Sequence, residues 1–170
     1  MALIARSILL LCAAALGASA QMTPEQRLFD FQSIAALYAK RYAPANWKLQ
    51  SLGVNIFELK PWADQVRAAK SDIEYFEIVS RFVASFRDGH TGFSTPSRFV
   101  ADLGVYVDIY DGKVMIEQIV RSRVPADTYP FEVGDELVSL DGKPVEEWIT
   151  ELGAQQSLSN PRTTRRSAAD

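Results

Sequence analysis

Near residue 98 the spacing of apolar residues changes from three-to-four to two, and one element type cannot carry both patterns. The change divides the chain into a helical part and a β-rich part. In the first, Thr23-Pro24-Glu25-Gln26 has the form of a capping box with proline at the first helical position. Leu28, Phe31, Ile34, Ala35, Tyr38 and Tyr42 follow on one stripe, and Pro44-Ala45-Asn46 breaks it. A second helix is expected at about 57–69, with Leu59, Trp62, Val66 and Ala69 on one side and Pro61 in its first turn. The third opens at Ser71-Asp72-Ile73-Glu74, again a capping box, and its stripe is Ile73, Phe76, Val79, Phe82, Val83 and Phe86. Gly89 fits the residue past a helix end that takes positive φ, and 91–97 reads as extended or loop.

After residue 98 the alternation runs through "LGVYVDIYDGKVMIEQI", with Asp111-Gly112 as a hairpin turn. "VGDELVSLDGKPV" repeats the device: a strand at Leu137–Leu140, a turn at Asp141-Gly142 and a short return strand. A helix follows in "PVEEWITELGAQ", with Val145, Trp148, Ile149 and Leu152 inward. The tail from 156 is polar. Pro161 and Thr163–Arg166 have the composition of a helix start, without a developed apolar stripe. The expected class is α+β. A helical unit spans 21–97, a β-rich module with a helix spans 98–155, and 156–170 is a linker.

The first 20 residues carry one positive charge at Arg6, an apolar run through Ile8–Leu11 and the close Ala18-Ser19-Ala20, the pattern of a secretory leader. Export is therefore expected, to a periplasmic or extracellular location. The run is short against the roughly 20 apolar residues a bilayer span needs. Cys12, the single cysteine, leaves with the leader, so neither a disulfide nor a thiolate is expected afterwards. One histidine and no cysteine argue against a structural zinc site. The net charge of -3, with no basic run, gives no footprint for nucleic acid. Phosphate loops, dinucleotide fingerprints and alternating acidic calcium loops are absent, so no cofactor or metal is expected.

That single histidine, His90, lies in "FRDGHTGF". Imidazole takes a proton from a serine hydroxyl at neutral pH, so His90 is a candidate general base; Asp88 is near enough in sequence to orient it, but a sequence neighbour often points elsewhere. A cation at a helix C-terminus, or a plain loop histidine, fits the same residues. No G-x-S-x-G elbow is present. Ser94 is near in sequence, yet four extended residues span about 13 Å. In the second part, Leu103, Gly104 and Val105 put a glycine between apolar residues at a strand start. Such a loop offers N–H groups to a peptide carboxylate, and the strand behind it offers an edge for an added strand. An ordinary strand with a glycine bulge reads the same way.

Taken together, "FVASFRDGHTGF" closing a helical unit and "VGDELVSLDGKPVEEW" after it resemble the N-terminal helical and PDZ-like domains of the tail-specific, C-terminal-processing serine proteases. The histidine places the resemblance in the tricorn-like branch. It covers nearly all of 24–155. The resemblance implies that His90 is general base to a serine in a following α/β domain, which also supplies a glutamate and the oxyanion hole. It implies that the PDZ-like module binds peptide or protein C-termini, with Leu103–Val105 near its carboxylate loop. The serine domain is outside these residues, and "NPRTTRRSAAD" resembles the segment leading into it. The chain alone is then expected not to hydrolyse a peptide bond. The alternative is a non-enzymatic PDZ-type peptide-binding protein, or an exported structural or chaperone-like protein in which the histidine is incidental.

Overall fold

The structure is a computed structural model and describes residues 21–95 and 102–169. The leader at 1–20 and the expected start of the β-rich module at 98–101 lie outside the described residues. Among the described residues, six helices and two small antiparallel sheets make an α+β fold.

Helix α1 (Pro24–Arg41) starts as its sequence asks. The Thr23 side chain accepts from the Gln26 N–H at 3.2 Å, and Gln26 Oε1 accepts from the Thr23 N–H at 2.8 Å. Phe31 and Ala35 are buried, with Leu28, Ile34, Tyr38 and Tyr42 packed beside them. Helix α2 (Ala45–Leu52) was not expected. It has no side-chain cap, and it buries Ala45 and Lys48 while Trp47, Leu49 and Leu52 face outward. With the apolar residues on the solvent side, the usual stripe does not reveal the inward face.

Helix α3 (Lys60–Ala68) carries Pro61 in its first turn and buries Val66. Helix α4 (Asp72–Ala84) is the centre of the first core, burying Tyr75, Ile78, Val79, Phe82 and Val83. Two details differ from the expectation. Ile73 is outside the stripe at 72 % exposed, and Tyr75 lies inside at 0 %. The capping box is half made: Ser71 Oγ accepts from the Glu74 N–H, but the Glu74 carboxylate accepts from the Lys70 N–H. This core also holds an ion pair between a buried arginine and a partly exposed aspartate. Arg27 Nε donates to Asp72 Oδ1 at 3.0 Å, and its Nη1 donates to the Ala69 carbonyl at 2.7 Å.

Strands β1 (Val105–Tyr110) and β2 (Lys113–Ile119) pair antiparallel, with a register shift at Tyr106/Val107. Asp111 and Gly112 both have positive φ, 48° and 85°, as a two-residue primed turn requires. Asp141 and Gly142 repeat the geometry at 53° and 78° between β3 (Ser139–Leu140) and β4 (Lys143–Pro144). Glu136 bridges to Met115 and the Leu137 N–H donates to the Val114 carbonyl, so the expected Leu137–Leu140 strand spends its first half against β2.

Helix α5 (Val145–Gly153) buries Ile149, whereas Leu152, expected inward, is 46 % exposed. Helix α6 (Pro161–Ala169) occupies the tail and packs on α5 and β1. Ala168 completes a second, smaller core with Val114 and Ile149. The short side chains of α6 explain why the sequence shows no stripe there: alanine suffices for the close approach.

Candidate active site and peptide-binding edge

The loop carrying His90 is fixed from below by aromatic packing. Phe86 is fully buried, with ring centroids 5.0 Å from Phe82, 4.8 Å from Tyr38 and 5.5 Å from Tyr42. The chain then turns through Arg87, which takes φ 53°. The left-handed residue is therefore Arg87 and not Gly89. The Arg87 carbonyl accepts from the buried Lys48 ammonium at 2.6 Å, which fastens the turn from the α2 side. At Gly89 the requirement is space: a Cβ there would sit 3.2 Å from Leu158 Cδ2.

Asp88 gathers the site. Its Oδ2 accepts from the Tyr42 hydroxyl at 2.6 Å, and its Oδ1 accepts from the His90 N–H at 3.0 Å. The His90 Nδ1 lies 3.1 Å from the same Oδ1, and the Lys48 ammonium is 4.0 Å from Oδ2. The Tyr42 hydrogen bond, then the His90 main-chain and side-chain donors and the Lys48 charge, lower the Asp88 carboxyl from 3.8 to about 2. Burial and the Asp88 carboxylate push the Tyr42 hydroxyl above its ordinary range, so it stays a donor.

An ionised Asp88 accepts only, so the Nδ1 contact requires Nδ1 to carry the hydrogen. In the neutral imidazole Nε2 is then the free acceptor. The His90 side chain is 99 % exposed, so Nε2 is open to an incoming group. Among the described residues, no serine hydroxyl hydrogen-bonds this ring.

Ser157 approaches the loop differently. Its Oγ lies 2.9 Å from the Asp88 carbonyl, 3.2 Å from the Val83 carbonyl and 2.7 Å from Thr91 Oγ1. It ties the segment after α5 to the His90 loop, beside a cleft of about 420 Å³ lined by Val83, Gly89, Thr91, Gly92, Gln155 and Ser157 among others. Tyr42, Lys48 and Ser157 were missing from the sequence-derived site. Tyr42 reads as a stripe residue, Lys48 lies on the unexpected helix, and Ser157 sits in a polar tail. Only Asp88, two positions from the histidine, was legible.

The three residues proposed for peptide binding lie at the start of β1. Leu103 is 65 % exposed and Val105 opens the strand half-buried. Gly104 takes φ 73°, its N–H donates to Asp102 Oδ1 at 2.8 Å, and its carbonyl accepts from the Val120 N–H at 2.7 Å. Asp102 is in turn paired with Arg123. That carboxylate thus meets the one glycine N–H expected to greet a peptide terminus. Leu103–Val105 are some distance along the chain from His90 and share no hydrogen bond with it among the described residues.

No cluster of three or more metal-ligating side chains occurs among the described residues, and none of their helices is long and apolar enough to cross a membrane.

A protein of Chlamydia muridarum (strain MoPn / Nigg) named only "Uncharacterized protein" is 28 % identical over 131 residues, covering 75 % of this chain and 21 % of its own length. The crystal structure of a serine-to-alanine mutant of CPAF superposes with a TM-score of 0.73 at 23 % identity, over 86 % of this chain and 27 % of that one. The chain thus spans about a fifth to a quarter of the length of these two proteins. Residues 100–170 match the family model described as PDZ domain, and the superposed 86 % of the chain shares the fold of the corresponding part of CPAF.

Proposed function

We propose that this chain is the amino-terminal portion of an exported serine-type peptidase, in which His90 is the general base for a serine that these residues do not contain. The peptidase would be of the tail-specific, C-terminal-processing kind, in its tricorn-like branch, cleaving peptides or protein C-terminal regions. The observation that carries this reading is the Tyr42–Asp88–His90 chain of contacts. It orients the imidazole, sets which nitrogen bears the hydrogen and leaves Nε2 in the open. An orienting carboxylate behind a histidine is what serine activation needs. The fold shared with the part of CPAF it superposes on, a protein whose serine-to-alanine mutant was crystallised, and the PDZ match beside this loop support the same reading.

In this mechanism Nε2 accepts the serine proton as the hydroxyl attacks the scissile carbonyl. Asp88 then faces an imidazolium through Nδ1, which is the charge-assisted form of the contact. His90 returns the proton to the leaving amine. The PDZ domain presents the peptide, its terminal carboxylate displacing Asp102 from the Gly104 N–H at Leu103–Val105 and β1 serving as the strand it joins.

The test is to express the reading frame that contains this chain and treat it with a fluorophosphonate. Stoichiometric labelling that His90→Ala removes supports the proposal. Labelling indifferent to His90, or none, contradicts it. In the second case, peptide binding that persists would favour a PDZ-type binding protein without catalysis.

A further inference from the structure

The outer edge of β1 is closed by the chain itself. In a two-residue hairpin the residues flanking the turn, here Tyr110 and Lys113, exchange both main-chain bonds. Alternation then turns the polar groups of Ile109 and Val114 away from the partner strand. On the β2 side this is what occurs: the Val114 carbonyl accepts from the Leu137 N–H at 2.8 Å, and the Ile116 N–H donates to the Asp135 carbonyl at 2.9 Å. On the β1 side no strand is present among the described residues. The Ile109 N–H donates instead to the carboxylate of Asp108 at 2.7 Å.

That carboxylate is held from α6. Arg166 Nε donates to Asp108 Oδ1 at 2.8 Å, and its Nη2 reaches Oδ2. Helix α6 is itself anchored, by Ala168 in the second core and by Arg165, which pairs with Glu146 and donates to the Gly112 carbonyl at 3.0 Å. Asp108 is 12 % exposed and Arg166 is 69 % exposed. A cleft of about 350 Å³ opens between them, with Val107, Glu117 and Thr163 on its walls.

We propose that the outer edge of β1 is a strand-addition surface kept shut by Arg166 and Asp108, and that it opens to an extended peptide with a basic side chain opposite Asp108. The proposal rests on the peptide-binding reading above. An added strand needs the Ile109 N–H for its own carbonyl, so Asp108 has to swing away. Arg166 then loses its partner, which costs little because the guanidinium is already in water. Asp108 is the sheltered group, and Glu117 adds a second negative charge in the same cleft. A cation on the incoming strand restores the pairing; a neutral or acidic strand leaves Asp108 without one.

The experiment titrates two fluorescein-labelled, C-terminally amidated pentapeptides, Thr-Val-Arg-Val-Thr and Thr-Val-Glu-Val-Thr, into the chain and its Arg166→Ala and Asp108→Ala variants. Melting curves verify that all three are folded, and Arg166→Gln serves as a second latch variant. The expected result is that Arg166→Ala tightens the arginine peptide about tenfold and not the glutamate peptide. Asp108→Ala should bring the two peptides within about twofold of each other. If the chain binds peptide but Arg166→Ala changes nothing, or tightens both peptides alike, the latch or its charge preference is wrong. If no protein binds either amidated peptide, β1 is not a strand-addition surface and the latch is overturned; the same two peptides with free C-termini then test the carboxylate reading separately, which fails if they do not bind either.

Discussion

Tyr42 and Asp88 are 46 positions apart, and the tyrosine hydroxyl donates to the aspartate at 2.6 Å. The bond links the end of α1 to the loop beyond α4, and it is the first cause of the lowered Asp88 carboxyl. His90 takes its orientation from that carboxylate, so the geometry of the exposed imidazole depends on a residue packed in the helical core.

Removing the hydroxyl tests this dependence. A hydrogen bond to an ionised group contributes about 1.5–3 kcal/mol, so Tyr42→Phe should lower stability by roughly that amount in urea titrations at neutral pH. The sign of the pH effect follows from the depressed folded value. The contribution is present above the ordinary 3.8 and is lost as pH falls through about 2. The wild-type chain should lose stability across that window, and the Tyr42→Phe variant should lose less of it. Parallel acid limbs would show that Tyr42 does not stabilise the ionised carboxylate.

Ser157 joins the segment after α5 to the His90 loop, and the Asp88 N–H donates to its Oγ at 3.4 Å. Ser157→Ala should cost about 1 kcal/mol. It should also speed amide exchange at Asp88 while leaving Tyr75, whose N–H donates to the Ser71 carbonyl in the first turn of α4, unchanged. Unchanged exchange at both would mean that the tie does not hold the loop.

Gly104 and Gly112 both have positive φ, yet they differ in their surroundings. A Cβ at Gly104 would lie 3.1 Å from Val124 Cγ2 and 3.2 Å from Arg123 Cβ, whereas nothing stands within 4 Å of one at Gly112. Gly112→Ala should therefore cost only the backbone penalty of about 1–2 kcal/mol. Gly104→Ala should cost more, with a melting temperature lower by a further few degrees. The opposite order would contradict the packing described for the start of β1.

The α+β class was legible because each half obeys its own period and its turns carry Asp-Gly at both hairpins. Helix α1 was legible to its cap. Helix α2 was not, because Lys48 points inward and Trp47 outward, the reverse of an amphipathic stripe. Helix α6 was visible only as a possible start, since its buried contact is the small side chain of Ala168. Half of the site could be read locally, from Asp88 and His90 two residues apart. The other half, Tyr42, Lys48 and Ser157, arrives from distant positions whose residue types have ordinary explanations. Ion pairs such as Arg166 with Asp108 join residues 58 apart, and no local pattern announces them.

The central claim is that His90 takes and returns a proton for a serine in a longer protein. It is tested most directly by kcat/KM for peptide hydrolysis by the product of the full reading frame, wild-type against His90→Ala. General-base catalysis contributes about 10²–10⁴-fold, so the variant should lose activity by a factor in that range with an unchanged melting temperature. Activity retained within about threefold of wild-type would contradict the account.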